Sequence, residues 1–316
     1  MTQLQVKVLR RRAEAQDIDS FVLARSDGGA LPAFSAGSHI DVHLPGGLVR
    51  PYSLCNDPQD AAHYRLGILR DAASRGGSVA MHDLVKEGDM LSISEPRNNF
   101  PLHSAPHSVL LAGGIGITPL LCMAQRLAAT GASFEIHACN RALVRSAFLN
   151  ELQAFGERFH LHLDDGEAAQ KLDLPAVLKA SPAGTRLYVC GPTGFIDFVV
   201  STAKSHGWPA DQVHLEYFGA APQDTTGDGS FEVRIASTGK SYTIAADQTV
   251  TAALQAHGVD ILVSCEQGVC GTCITRVLEG ECDHRDMYFT DEEKALNDQF
   301  TPCCSRAKSA VLVLDL

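Results

Sequence analysis

Cys265-Glu266-Gln267-Gly268-Val269-Cys270-Gly271-Thr272-Cys273 sets three cysteines on one short loop with the spacing C-x4-C-x2-C, and Cys303 follows after 29 intervening residues. Four thiolates at these intervals are the plant-type ligand set of a two-iron, two-sulfur cluster. Gly268 and Gly271 let the loop bend and bring backbone N–H groups toward sulfur, contacts that tune the reduction potential of such a cluster. Cys270-x2-Cys273 alone would also suit a zinc knuckle or a thioredoxin-like pair. Structural zinc sites usually draw their ligands as two short pairs, whereas here three cysteines share one loop. Cys304 competes for the fourth position, and the 29-residue interval favours Cys303.

Outward from this loop, residues 231–316 read as a small β-rich domain. Residues 221–230 are polar and rich in Gly, Thr and Asp, without apolar periodicity, and read as a linker. Residues 104–220 alternate short apolar runs, such as Ser108-Val109-Leu110-Leu111-Ala112 and Arg186-Leu187-Tyr188-Val189-Cys190, with helical stretches. That alternation predicts a parallel sheet covered on both faces. Residues 1–103 carry short alternating strands between Gly and Pro clusters, the pattern of an antiparallel barrel, with one short helix over 79–85. The expected fold is thus multidomain: a β-barrel, an α/β domain and a small β-rich domain around the cysteines, consistent with two or three domains in 316 residues.

Ten cysteines, six of them between 265 and 304, point to metal or redox chemistry in a reducing compartment. Cys55, Cys122 and Cys139 read as core fillers, and Cys282 as a free thiol outside the ligand pattern. The N-terminal segment from Met1 lacks an apolar secretion stretch, and no apolar run reaches ~18 residues, so a cytoplasmic chain without a membrane span is expected. A formal net charge of -11 argues against nucleic-acid binding. The thirteen histidines show no metal-ligand spacing and read as ordinary surface or core residues.

Gly113-Gly114-Ile115-Gly116-Ile117-Thr118-Pro119 directly follows an apolar strand. Glycines at a strand-to-helix turn let the backbone approach a pyrophosphate, and the helix N-terminus favours its charge. Cys190-Gly191-Pro192 closes another buried strand. It suits an ordinary turn or a place beside a nicotinamide ring, and the tripeptide does not decide. Arg50-Pro51-Tyr52-Ser53-Leu54 offers a cation, an aromatic ring and a hydroxyl for a flavin, though such residues on a strand are commonly structural. Arg75-Gly76-Gly77-Ser78 suits a phosphate at a helix N-terminus or a plain capped turn.

Taken in order, Arg50 to Ser53, Gly76 to Ser78, Gly113 to Pro119, Cys190 to Pro192, Glu216-Tyr217-Phe218 and the cysteine loop resemble the reductases of phthalate dioxygenase and vanillate O-demethylase. The resemblance spans essentially the whole chain, the C-terminal position of the ferredoxin domain is specific to it, and it implies a ferredoxin β-grasp for that domain. It implies FMN, held at its phosphate by Arg50 and by Gly76, Gly77 and Ser78, with Tyr52 packed on the isoalloxazine and Ser53 near N5. It implies a nicotinamide cofactor contacted by Gly114, Gly116 and Thr118, with Cys190 near its ring and Phe218 covering the flavin. Ser53, Cys190 and Phe218 would then flank the reacting atoms, and Cys265, Cys270, Cys273 and Cys303 would ligate the cluster. The resemblance favours NADH. Cys139-Asn140-Arg141, with Arg145 beyond, stands where an acidic residue would bind a free ribose hydroxyl, so NADPH stays open.

Nicotinamide yields two electrons as one hydride and a two-iron cluster takes one at a time, so a flavin must stand between them. The implied acceptor is a terminal oxygenase with a Rieske centre. The alternative is a reductase for a cytochrome P450 or another acceptor. From Asp228 to Leu316 there are 14 acidic and 7 basic residues, a net charge of -7. That bias would steer a basic partner and make electron transfer sensitive to salt.

Overall fold

The computed structural model describes residues 3–220 and 223–316. Met1, Thr2 and the first two residues of the expected linker lie outside them. The chain divides into two compact units, Met1–Phe218 and Gly219–Leu316.

In the first unit, β1 (Gln3–Ala15), β2 (Ile18–Arg25), β3 (Ser38–His43), β4 (Val49–Ser53), β5 (Tyr64–Leu69), α1 (Gly77–Leu84), β6 (Met90–Ser94) and β7 (Arg97–Asn98) build an antiparallel barrel. Its strand order is β4-β3-β6-β1-β2-β5, and a Leu54–Leu66 bridge joins the two ends. Alternation dictates the faces: Val6 and Val8 of β1 are buried while Gln5 and Lys7 are exposed. The expected helix over 79–85 is present and begins two residues earlier, at Gly77.

The chain continues through β8 (Ser108–Gly113), α2 (Ile117–Ala129), β9 (Phe134–Asn140), α3 (Leu149–Gln153), β10 (Phe159–Leu163), α4 (Leu174–Ala180), β11 (Arg186–Gly191), α5 (Thr193–Ser205) and β12 (Val213–Tyr217). The strands pair in parallel in the order β10-β9-β8-β11-β12. Every residue of β8 is buried, as a central parallel strand requires. The order reverses between β8 and β11, the point where doubly wound sheets open a ligand crevice beyond their strand ends.

Barrel and parallel sheet share one hydrophobic cluster. Ile18, Ala36, Cys55 and Phe100 pack in it with Leu110, Leu121, Met123 and Phe148. A forked ion pair reinforces that join. Arg65 Nη1 and Nη2 donate to Glu151 Oε1 and Oε2 at 2.6 and 2.7 Å, Nη2 also reaches Cys55 O at 3.0 Å, and the guanidinium lies 5.2 Å from the Phe148 ring centroid.

The second unit contains β13 (Phe231–Ile235), β14 (Ser241–Ile244), α6 (Val250–Ala256), β15 (Thr275–Glu279), β16 (Cys282–Asp283), α7 (Asp291–Leu296), β17 (Gln299–Phe300), β18 (Arg306–Ala307) and β19 (Val311–Leu314). Its main sheet runs β14-β13-β19-β15-β17, with β13 and β19 parallel and the other pairs antiparallel. Val250, Ala253 and Leu254 of α6 fill its core, and Thr249 caps that helix by accepting from Ala252 N. The end of the expected linker is pinned. Asp228 accepts from Arg285 Nη1 and Nη2 at 2.9 and 2.6 Å and lies 3.5 Å from Arg306 Nε.

We expect Arg65→Ala to destabilise the first unit by about 1–3 kcal/mol, below the range for fully buried pairs because Glu151 is partly exposed. Arg65→Lys should recover less than half of that, since an ammonium cannot reproduce the fork. Urea unfolding of both variants measures this.

Candidate functional site

The glycine turn and the end of β11 meet at the switch point. A Cβ on Gly116 would lie 2.2 Å from Cys190 O, and one on Gly191 would lie 2.9 Å from Gly113 Cα. A Cβ on Gly113 would meet the Phe195 ring at 2.9 Å. These glycines are therefore demanded by the packing of the turn against β11. Gly114 differs: its φ is +56° and nothing lies within 4 Å of a Cβ there, so its backbone faces open space. Thr118 is buried and its Oγ1 donates to Ile115 O at 3.1 Å. Its methyl group sits where a Cβ on Gly67 of the barrel would fall.

Cys190 is fully buried at the end of β11, and burial pushes its thiol well above the ordinary value. Its register partner on β12 is Glu216. From the barrel, Ser53 at the end of β4 donates its Oγ–H toward Glu216 Oε2 at 3.5 Å. Desolvation pushes the half-buried Glu216 carboxyl up to about 8, a rise that the Ser53 hydrogen bond partly opposes. Sequence reasoning quoted Glu216 within a motif and gave it no role. The signal available was a carboxylate ending the apolar strand Val213–Tyr217. Phe218 follows it and is 42% exposed.

Strand alternation separates the residues of β4. Arg50 and Tyr52 share one face, opposite Val42 and Ile40 of β3, while Ser53 turns to the other. Burial raises the Tyr52 hydroxyl and keeps it protonated. Arg50 Nη2 donates to Arg75 O at 3.2 Å, and a Cβ on Gly77 would strike Arg50 Cγ at 2.4 Å. The fold thus joins Arg50 to the Gly76–Ser78 turn. Gly76 takes φ +85° as the N-cap of α1, and Ser78 Oγ accepts from Asp71 N at 3.2 Å. A cation, a helix N-terminus and a hydroxyl in one place fit a phosphate.

In the second unit Cys265, Cys270, Cys273 and Cys303 are all buried. Cys265 Sγ accepts from Gln267 N and Val269 N at 3.4 Å each, and Thr272 Oγ1 lies 3.1 Å from Cys270 Sγ. Hydrogen bonds from the Cys270 and Cys303 thiols hold Cys265 far below the usual thiol range. Gly268 and Gly271 adopt φ +71° and +70°, and Glu266 takes φ +52°. A Cβ on Gly268 would meet Cys304 Sγ at 2.4 Å, and one on Gly271 the Tyr288 ring at 2.5 Å. The loop is wound so tightly that its N–H groups aim at sulfur, which fits a cluster of iron and sulfide held by thiolates. Cys304 is half-buried beside Thr301 Oγ1 at 3.3 Å.

Comparison with known proteins bears on both units. The profile of the 2Fe-2S iron-sulfur cluster binding domain matches residues 233–308. That of the N-terminal domain of the dimethylamine monooxygenase subunit DmmA-like group matches residues 98–213. The vanillate O-demethylase oxidoreductase of a Pseudomonas sp. is 56% identical over 99% of this chain and 100% of its own length. The solved structure of phthalate dioxygenase reductase superposes with a TM-score of 0.79 at 40% identity, covering 99% of this chain and 98% of the other. An intact type IV self-sufficient cytochrome P450 monooxygenase matches with a TM-score of 0.85 at 37% identity, over 99% of this chain and 41% of the larger one.

Two outcomes follow from the geometry. Cys303→Ser should lose the visible absorption and most of the iron of the cluster, while Cys304→Ser keeps both, as read by spectroscopy and iron content. For Glu216, desolvation holds the proton in the folded chain up to about pH 8, whereas an unfolded glutamate releases it near 4.5. The folded state binds more protons between those values, so stability falls as pH rises through this window. Glu216→Gln cannot ionise, and its melting temperature should gain on the parent chain's from pH 5 to pH 8.

Proposed function

The chain belongs to the family of the vanillate O-demethylase and phthalate dioxygenase reductases, and from that membership we propose that it is the NADH-dependent reductase of an oxygenase with a Rieske centre. Family membership makes it an oxidoreductase component of an oxygenase system that carries FMN and a 2Fe-2S cluster and uses a nicotinamide cofactor. When bound, the flavin accepts a hydride and gives up single electrons, and the cluster takes them one at a time.

The observation that carries the reading is the approach of Ser53, at a barrel strand end, to Glu216, beside Cys190 at the switch point of the parallel sheet. A flavin site and a nicotinamide site built from these two sheets would abut there. Arg50, with Gly76, Gly77 and Ser78, binds the flavin phosphate in this reading, and Tyr52 flanks the ring. Gly114 offers its open backbone to the nicotinamide cofactor, with Gly116 and Thr118 shaping the turn. Cys190, neutral and small, would leave room for the nicotinamide ring, and Phe218 would cover the flavin face. Ser53 donates its Oγ–H toward Glu216 Oε2. A carboxyl that titrates near 8 can keep or release its own proton at neutral pH, which suits a site where reduction changes proton demand.

Cys265, Cys270, Cys273 and Cys303 ligate the cluster, and the net charge of -7 over Asp228–Leu316 favours docking on a basic oxygenase surface. The domains divide at 1–103, 104–220 and 231–316. The reducing cytoplasm, where cysteines outside the cluster stay unpaired and the cluster thiolates are not oxidised to disulfides, is the compartment this reading requires. NADH is the donor, with NADPH as the alternative that Arg141 and Arg145 favour. A second reading, service to a cytochrome P450, is supported by the likeness to the self-sufficient monooxygenase at 37% identity. It is weaker than the full-length match to an O-demethylase oxidoreductase at 56%.

Stopped-flow mixing with NADH should bleach flavin and cluster bands in succession, and flavin released by denaturation should chromatograph as FMN. Arg50→Ala should lower FMN retention at least tenfold while leaving the cluster spectrum intact. Isolation with zinc and no iron, or with no flavin, would overturn the reading. Turnover with a purified Rieske oxygenase against a P450 separates the two acceptors.

A further inference from the structure

The parallel sheet carries one polar cluster that hydride transfer does not use. Glu135 and His137 alternate onto the same face of β9, and the register of β10 sets His160 beside His137 and His162 beside Cys139. Sequence spacing conceals this set, because only strand pairing joins its halves. One carboxylate oxygen and one imidazole nitrogen from each of Glu135, His137 and His160 lie within 4.8 Å of one another.

The separations are those of a site rather than of a hydrogen-bonded network. His137 Nε2 is 3.6 Å from Glu135 Oε1, and His160 Nε2 is 3.7 Å from Glu135 Oε2. Both are too long for hydrogen bonds. Ligands held about 2.0–2.1 Å from a tetrahedral zinc ion stand roughly 3.3 Å apart, so each imidazole needs to close on Glu135 by a few tenths of an ångström, and the His137 and His160 rings, stacked with centroids 4.6 Å apart, must rotate to aim at one ion.

His137 supplies the second observation. Its side chain is 4% exposed, and its Nε2 has no hydrogen-bond partner. Its Nδ1 lies 3.0 Å from His162 Nε2. With the ring proton on Nδ1, His137 donates to His162 and turns a bare Nε2 lone pair toward the Glu135 carboxylate. With the proton on Nε2, that buried N–H faces Glu135 Oε1 at 3.6 Å, beyond ordinary hydrogen-bond length. A cation between His137, Glu135 and His160 resolves the first arrangement and selects it. His162 then fixes the tautomer and orientation of a ligating ring, as outer-shell partners commonly do.

We infer that Glu135, His137 and His160 form a binding site for one divalent transition-metal ion of the zinc type. Two imidazoles and one carboxylate match that class better than calcium or magnesium, which prefer all-oxygen shells. His160 is 41% exposed and Glu135 27%, which leaves solvent access for the ion and for a completing water. The ligands lie toward the N-terminal ends of β9 and β10, whereas nucleotides bind beyond the C-terminal ends. The ion therefore staples the edge strand β10 to β9 and takes no part in hydride transfer.

The test is zinc binding to the full chain with flavin and cluster loaded, using equilibrium dialysis with zinc and iron counted per chain. One zinc per chain is expected beyond the iron, with the cluster absorption unchanged and the melting temperature raised. His160→Ala removes a half-exposed ring and should fold. It should bind zinc at least tenfold more weakly while NADH still bleaches flavin and cluster normally. His162→Ala should also weaken zinc without abolishing it. Equal zinc binding by the parent chain and His160→Ala, no zinc above background, or zinc gained only as iron is lost would each overturn the proposal.

Discussion

The functional end of the first unit depends on a steric constraint: no side chain fits between the turn after β8 and the carbonyl of Cys190. Backbone meets backbone there, and the sheet reverses its order at that contact. Because Gly113 and Gly116 are consumed by packing, the turn is held rigidly and Gly114 alone opens to space. The same contact keeps the ends of β11 and β12 in register, which sets Glu216 beside Cys190 and within reach of Ser53. A bulky residue at 116 would displace all of these together.

Much of this was legible in the chain itself. The cysteine loop disclosed its chemistry because four like ligands at fixed intervals have few other uses, and the apolar run 108–112 reads as a buried parallel strand from composition alone. What stayed hidden was whatever depends on two distant segments meeting. The turn holding Gly113 and Gly116 reads as ligand-facing, yet the neighbours that require these glycines belong to the end of β11 and the start of α5, more than seventy residues away. Glu216 carries no role in the sequence, because its role depends on Ser53 approaching from another sheet. Arg50 and Gly77 gave separate weak signals, and their contact joins them. The histidines of β9 and β10 follow the same rule, since register and not spacing brings them together.

The barrel and the parallel sheet also proved less separable than their patterns suggest. Residues from both fill one hydrophobic cluster, and the Arg65–Glu151 fork spans the join. Two sheets that must present their ligands to one another gain from a fixed seam, because hydride transfer tolerates little misplacement of its partners.

The sheet of the second unit has an ordering in time as well as in space. Its central strand, β19, is the last of the sheet's strands in sequence and pairs with both β13 and β15. Until residues 311–314 have left the ribosome, the strands on either side of it cannot be united. The cysteine loop and Cys303 are synthesised before that frame exists, as reactive thiols on an unfinished scaffold. A closed frame around the cysteines thus exists only once residues 311–314 have been made, which ties cluster loading to the order in which the strands are synthesised.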